Sequence, residues 1–328
     1  MPPGLGLGGG ASADPASTLF ASTPLLLDTY PNAHRAYSVR KLSNDYSGYA
    51  LKLRRTDNET ADVNFDDNGR VSDDSIIANP SGGVSVSDLD TWVGSDDAFC
   101  TTWYDQSGEG VNATQDEAAK QPKLYSSGNL ETSGSASVAS LKFDGSNDNF
   151  HFNESGLTLR DITTFLCIEA DSDHATAATI RCPIAFTIWY ASPQTYYALL
   201  LRADPYRTVG AEYEYWYDLI ATSKPAFAES TARQPHIVTL TGGSGTDKQI
   251  FYLDQTASTV KADSTATRSL LGEGTTSQKN GIGAYNDGGS PGYAWKGDIQ
   301  EVIVYDSDVS ANRANIEDDM NAVFGAYS

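Results

Sequence analysis

His236-Ile237-Val238-Thr239-Leu240, then Gly242-Gly243-Ser244-Gly245, then Gln249-Ile250-Phe251-Tyr252-Leu253: two short runs rich in β-branched and aromatic residues flank a cluster of turn-forming ones. Branched and aromatic side chains fit a pleated surface, and glycine supplies the reversal, so this stretch predicts a β-hairpin. The same texture extends outward. Ile162 to Ile168 is a compact apolar run suited to a strand buried on both faces. Leu141-Lys142-Phe143 enters the turn Asp144-Gly145-Ser146-Asn147-Asp148, and Phe150-His151-Phe152 resumes the alternation, which predicts another hairpin. Ile299 to Tyr305 (IQEVIVY) predicts a final strand. Helix signals are few. Ser310 is placed to cap a helix on which Ile316, Met320, Val323 and Phe324 recur at helical spacing, and a short helix is expected over Ser87 to Val93. With no repeat at solenoid or propeller period, the expected fold is all-β, a sandwich of two antiparallel sheets with a short C-terminal helix.

Asp and Glu number 43 against 22 Lys and Arg, a formal charge of -21 with a pI near 4.4. That charge repels phosphate backbones and anionic lipid, so no nucleic-acid partner and no membrane insertion are expected. The one basic cluster, Arg40-Lys41 with Lys52 and Arg54-Arg55, alternates with apolar residues and reads as exposed strand faces. Cys100, Cys167 and Cys182 are too sparse for a disulfide framework and lack metal-ligand spacing, so free thiols are expected. No basic segment followed by ~7–15 apolar residues opens the chain, and no run approaches the ~20 apolar residues of a membrane helix. The expectation is a soluble protein made in a cytoplasm without a leader.

Residues 1–28 begin with Gly, Pro, Ser and Ala and almost no charge, a composition that cannot bury enough surface to fold alone. They read as an assembly arm ahead of a domain over 29–328. Leu5, Leu7, Leu19 and Phe20 are its apolar anchors, with Leu25 to Leu27 further on.

Several segments are similar to a known family. Ala36-Tyr37-Ser38-Val39-Arg40-Lys41-Leu42 with Tyr46-Ser47-Gly48 and Leu51-Lys52-Leu53-Arg54-Arg55, then Thr102-Trp103-Tyr104-Asp105-Gln106-Ser107-Gly108, Leu141 to Asp148 and Trp295 to Tyr305 resemble the concanavalin A-like, laminin G-type domains of phage structural proteins. The resemblance covers roughly residues 35–327 and implies a jelly-roll sandwich. The same opening and Tyr-Asp-Gln-Ser-Gly block resemble the catalytic domain of α-L-arabinofuranosidases. Asp287 falls roughly where that family's acid lies, but its adjacent cysteines have no counterpart here, and neither does its C-terminal arabinose-binding module. The resemblance therefore implies the fold without catalysis, and no catalytic residue is assigned.

Read as a strand, Glu212-Tyr213-Glu214-Tyr215-Trp216 puts Glu212, Glu214 and Trp216 on one face. An aromatic plate beside carboxylates suits a sugar, whose apolar face stacks while its hydroxyls donate hydrogen bonds. A solvated strand face explains the same residues, and a catalytic carboxylate pair is the third reading. The Tyr285 to Trp295 loop, with Asp287, is the second candidate glycan surface. Trp103, Tyr104 and Asp105 read as core and turn more readily than as a ligand platform. Asp144, Asn147 and Asp148 can ligate calcium or form a tight polar turn; no other cofactor is expected. His34, His151, His174 and His236 lack metal or triad spacing. Together these readings point to a virion protein assembled in a host cytoplasm: a capsid decoration, head spike or tail-fibre component of a tailed phage or phage-like particle. It is expected to be homo-oligomeric, to contact other virion proteins through its arm and to display a lectin-like domain to host-surface glycans. An arabinofuranosidase-like glycosidase and a purely structural cement protein are the alternatives.

Overall fold

A computed structural model describes residues 23–83, 88–152, 162–171, 180–188, 195–202, 234–241, 250–257, 280–287 and 290–328. The 236–253 hairpin forms as read: His236–Thr241 pairs antiparallel with Ile250–Leu253, from Val238 opposite Leu253 to Thr241 opposite Ile250. Its other edge carries Thr163–Ala170, which in turn lies against the final strand, Lys296–Tyr305. The far edge of that strand is shared, Leu141–Asp144 pairing with its first half and Arg35–Ser38 with its second. A second run of antiparallel strands goes Ile77–Ala78, Thr60–Val63, Leu51–Arg55, Ala98–Trp103, Ala113–Thr114, Phe150–Phe152, Asn280–Ile282, Ile180–Ile188 and Thr195–Arg202. Lys123–Ser126 pairs with both runs.

Aromatic rings join the layers. Tyr37 lies 6.1 Å from Trp103 and 5.9 Å from Phe152, and Phe150 meets Phe143 edge-on at 6.1 Å. All five rings are buried, each removing ~1.5–3 kcal/mol or more of apolar surface energy from water. Thr163–Ala170 is buried along nearly its whole length, as its unbroken apolar run predicts, because the C-terminal helix covers what the opposite sheet does not.

Three local readings are corrected. Leu141–Asp144 and Phe150–Phe152 do not pair with each other; the turn between them carries the chain from one layer to the other. Alternation specifies which side chains face inward, and Phe143 and Phe150 do so from opposite layers. The C-terminal helix spans Arg313–Phe324 and buries Ile316, Met320 and Phe324, but Ser310 opens a preceding 3-10 turn, Ser310–Asn312, and caps nothing. Leu26 and Leu27, grouped with the arm by composition, are buried in the body, where Leu27 N donates to Leu42 O at 2.8 Å. The short helix expected before Ser95 spans Leu89–Val93, with the Asp88 carboxylate accepting from Thr91 N at 2.8 Å.

The basic cluster is not exposed. Arg40 is buried, its Nε 2.7 Å and Nη2 3.0 Å from the Glu301 carboxylate and its Nη1 2.6 Å from Asp319 Oδ1. Ser38 Oγ donates to the same Glu301 oxygen at 2.7 Å. Burial pulls the Arg40 guanidinium down, but Glu301 and then Asp319 outweigh it and hold its pKa above the ordinary arginine value. This cluster ties the first strand, the final strand and the C-terminal helix together. Arg54 and Arg55 stack over Phe99 at 4.9 Å and Trp92 at 5.2 Å, covering rings with their guanidinium planes. Among the described residues no helix is long and apolar enough to cross a membrane.

Candidate functional site

Glu212, Glu214 and Trp216 lie outside the described residues, as do Leu5, Leu7, Leu19, Phe20 and His174. Tyr285 and Asp287 belong to a two-stranded ribbon, Tyr285–Asp287 against Ser290–Gly292, whose side chains lie outside the description. Trp295 does not offer a stacking surface. Its ring is fully buried and its Nε1 donates to Asp298 O at 3.4 Å, because Trp295 N is already drawn to Gly283 O at the entrance to the final strand.

The Trp-Tyr-Asp-Gln-Ser-Gly block works as an internal fastening. Trp103 is core. Asp105 accepts from Ala36 N at 3.0 Å, Ser107 N at 3.0 Å, Ser107 Oγ at 2.8 Å and Val111 N at 3.1 Å, so one carboxylate closes its own loop onto the first strand. Gln106 Oε1 accepts from Leu42 N at 2.9 Å, and its Nε2 donates to Ser38 O and Arg40 O.

The Asp144 loop is likewise occupied with itself. Asp144 Oδ1 accepts from Ser146 N and Asn147 N, and Asp148 Oδ2 accepts from Asp144 N at 2.9 Å. Among the described residues no group of three or more His, Cys, Asp or Glu is arranged to hold a metal ion. Burial, then the neighbouring Asp144 charge, pushes the Asp148 carboxyl from 3.8 up to about 7. A raised acid pKa favours the protonated folded state, so its contribution to stability is complete below about pH 4 and is lost as pH rises through about 7. Melting followed from pH 5 to pH 8 should therefore show a decline that Asp148→Asn, which keeps an oxygen for Asp144 N, makes shallower. One such group changes stability by at most ~1.4 kcal/mol per pH unit. Identical slopes in the two proteins would contradict the assignment.

The surface with binding geometry lies elsewhere, on the loops after the first strand. Phe65 and Tyr46 meet edge-on at 6.4 Å, Tyr46 Oη donates to Tyr49 O at 2.8 Å, and the Tyr49 ring lies 6.0 Å from Tyr104. All four rings are half-buried, and the two contacting pairs, joined by the Tyr46–Tyr49 hydrogen bond, make up an aromatic strip. At its far end Asp62 accepts from Tyr104 Oη at 2.6 Å and from Asn79 Nδ2 at 2.8 Å, and Asn79 also donates to Tyr49 Oη. Burial, then the Asp62 hydrogen bond, raises the Tyr104 hydroxyl above its ordinary value and keeps it a neutral donor; burial, then Asp105, pushes Tyr46 up to about 12.

Beside Tyr46 and Phe65 opens a cleft of about 540 Å³, walled also by Lys41, Asn44, Asn64, Asp66 to Arg70 and, from the helix, Val323. Two loops make it. Asp66 Oδ1 accepts from Asn68 N and Arg70 N, winding residues 66–70 into a tight turn, and Lys41 N donates to Gly69 O at 2.7 Å, laying that turn along the segment after the first strand. Gly69 sits at φ +71, a conformation glycine adopts without strain. Sequence reading missed this site: Tyr46-Ser47-Gly48-Tyr49 and Asp66-Asp67-Asn68-Gly69 are visible as turns, but nothing local says that they meet.

No family model matches the sequence, and no curated protein does. Solved structures do match. A mutant GH54 α-L-arabinofuranosidase soaked with 4-nitrophenyl α-L-arabinofuranoside aligns with a TM-score of 0.58 at 13% identity, over 90% of this chain and 63% of that one. A GH54 α-L-arabinofuranosidase soaked with a cyclic sulfate inhibitor gives 0.55 at 12%, covering the same shares. An arabinofuranosidase complexed with arabinofuranosyl-α-1,2-xylobiose gives 0.50 at 12%, over 89% and 63%. What is shared is the fold. The chain spans less than two thirds of these enzymes' length, and its described half-buried strip and cleft sit on that common β-sandwich.

Proposed function

We propose that this chain is a glycan-recognition sandwich carried on a phage-like particle as a capsid decoration, head spike or tail-fibre component. The observation that carries recognition is the strip of Phe65, Tyr46, Tyr49 and Tyr104, ended by Asn79, whose amide the buried Asp62 carboxylate fixes, and continuing into the amide-lined cleft. Aromatic faces take the apolar side of a sugar ring, and fixed amides and carboxylates sort its hydroxyls. The likeness in fold to enzymes solved with arabinose-containing ligands supports a carbohydrate as the ligand class. The particle half of the reading rests on the phage-domain resemblance and on the Gly-rich residues 1–22.

A glycan array is the direct test. Binding should weaken about tenfold in Tyr49→Ala, since an aromatic contact contributes ~0.5–1.5 kcal/mol beyond its buried area. A folded protein that binds no sugar on the array would defeat the recognition reading. For the particle, a chain beginning at Thr23 should fold normally yet fail to enter particles; incorporation at full occupancy would remove the arm from the argument. A glycosidase is the second reading, favoured by the likeness over 90% of the chain to arabinofuranosidases. Hydrolysis of 4-nitrophenyl α-L-arabinofuranoside, abolished by Glu214→Gln, would establish it in place of simple binding.

A further inference from the structure

We propose that the cleft beside the aromatic strip takes a sugar bearing a carboxylate, held between Lys41 and Arg70. This rests on the glycan reading above and names the ligand class. In a chain of charge -21, cations are scarce, and among the described residues six of them, Arg40, Arg55, Lys120, Lys123, Lys142 and Arg313, each sit on an Asp or Glu. Lys41 and Arg70 differ. Both line the cleft, and among the described residues neither ion-pairs with a carboxylate; the one polar contact of Lys41 Nζ is Asn44 O at 3.5 Å.

Their placement is fixed by backbone. Arg40 and Arg70 are bridge partners and Lys41 N donates to Gly69 O, so the segments that carry Lys41 and Arg70 lie side by side, and both residues line the cleft. Asp66, four residues before Arg70, is turned into its own loop, with Oδ1 taken by two backbone amides and Oδ2 by Ser72 Oγ at 2.8 Å. Asp67 is exposed on the rim. A guanidinium presents paired donors that match a carboxylate, and the ammonium adds a point charge. Long-range repulsion from the acidic body is screened beyond ~8 Å in physiological salt, so the local pair decides at contact. Tyr46, Phe65, Asn44 and Asn64 surround the same space, and a sugar ring with one acid group satisfies cations, amides and rings together.

The test compares matched ligands on the full chain: tetragalacturonate with its methyl ester, and 3′-sialyllactose with lactose, by calorimetry. At least one acidic member should bind about tenfold or more tighter than its neutral partner, the two pairs separating uronic from sialic sources. Arg70→Gln and Lys41→Gln should each remove most of that preference, weakening the acidic sugar several-fold more than its neutral partner. Raising salt from about 50 to about 300 mM should weaken only the acidic ligand. Neutral and acidic sugars binding equally, with loss on Tyr49→Ala, would overturn the carboxylate assignment and leave the glycan reading standing. Acidic sugars bound equally by both cation variants and the parent protein would also overturn it. No binding of any of the four sugars would overturn the carboxylate assignment, and the glycan array would then decide the recognition reading separately.

Discussion

Arg40→Met and Glu301→Gln should each cost about 3–5 kcal/mol, because either one leaves a buried charge or its hydrogen-bonding groups without a counterpart. That is a large share of the ~5–15 kcal/mol by which domains are stable. Both Glu301 oxygens are engaged by Arg40, and Ser38 Oγ adds a third donor, so Arg40→Met leaves a fully buried carboxylate with Ser38 Oγ as the one remaining donor of these three. The double variant Arg40→Met/Glu301→Leu should recover most of the loss. It removes both buried charges, and Asp319, whose side chain is 36% exposed, can turn to solvent. Urea unfolding followed by tryptophan fluorescence measures all three. Single variants within 1 kcal/mol of the parent, a margin small against the penalty for a lone buried charge, would show that the cluster contributes little.

Asp105→Ala should be nearly as damaging, at about 3 kcal/mol or more. Its carboxylate is the common acceptor for Ala36 N, Ser107 N and Val111 N, and each buried amide left without a partner costs ~1–3 kcal/mol. Asp105→Asn retains one acceptor oxygen and should lose about half as much. Hydrogen exchange localises the effect: the amides of Ala36 and Val111 should lose protection before those of the 236–241 strand. Uniform loss of protection across the sheet would instead mean that the loop and first strand unfold with everything else.

The sequence made strands legible where periodicity and punctuation are local, as in 163–170, 236–253 and 296–305, and located the C-terminal helix through Ile316, Met320 and Phe324. It could not show which strands become neighbours. The 144–148 turn has the composition of a hairpin whether it reverses within a layer or crosses between layers, and only the partners at 280–282 and 296–299 decide. Arg40 has the alternation of an exposed residue, yet its partners lie 261 and 279 positions away. Trp295 looked like a binding aromatic because a buried ring and a stacking ring are the same residue type in a loop-rich stretch. The cleft draws on residues near 25, 41–48, 64–70 and 323, so no window of sequence contains it. Of the glycan residues read from sequence, only Trp295 has its side chain within the described structure, and it belongs to the core.

The three cysteines occupy Ala98–Trp103, Thr163–Ala170 and Ile180–Ile188, and all are free, buried and shifted by burial towards the unreactive thiol form. A thiolate is the species that alkylating reagents and oxidants attack. Each thiol is therefore silent until its own strand opens, and the chain carries three intrinsic reporters of local unfolding at separate places in the sandwich. It also follows that passage from a reducing to an oxidising surrounding leaves the folded molecule without a bond to form or break.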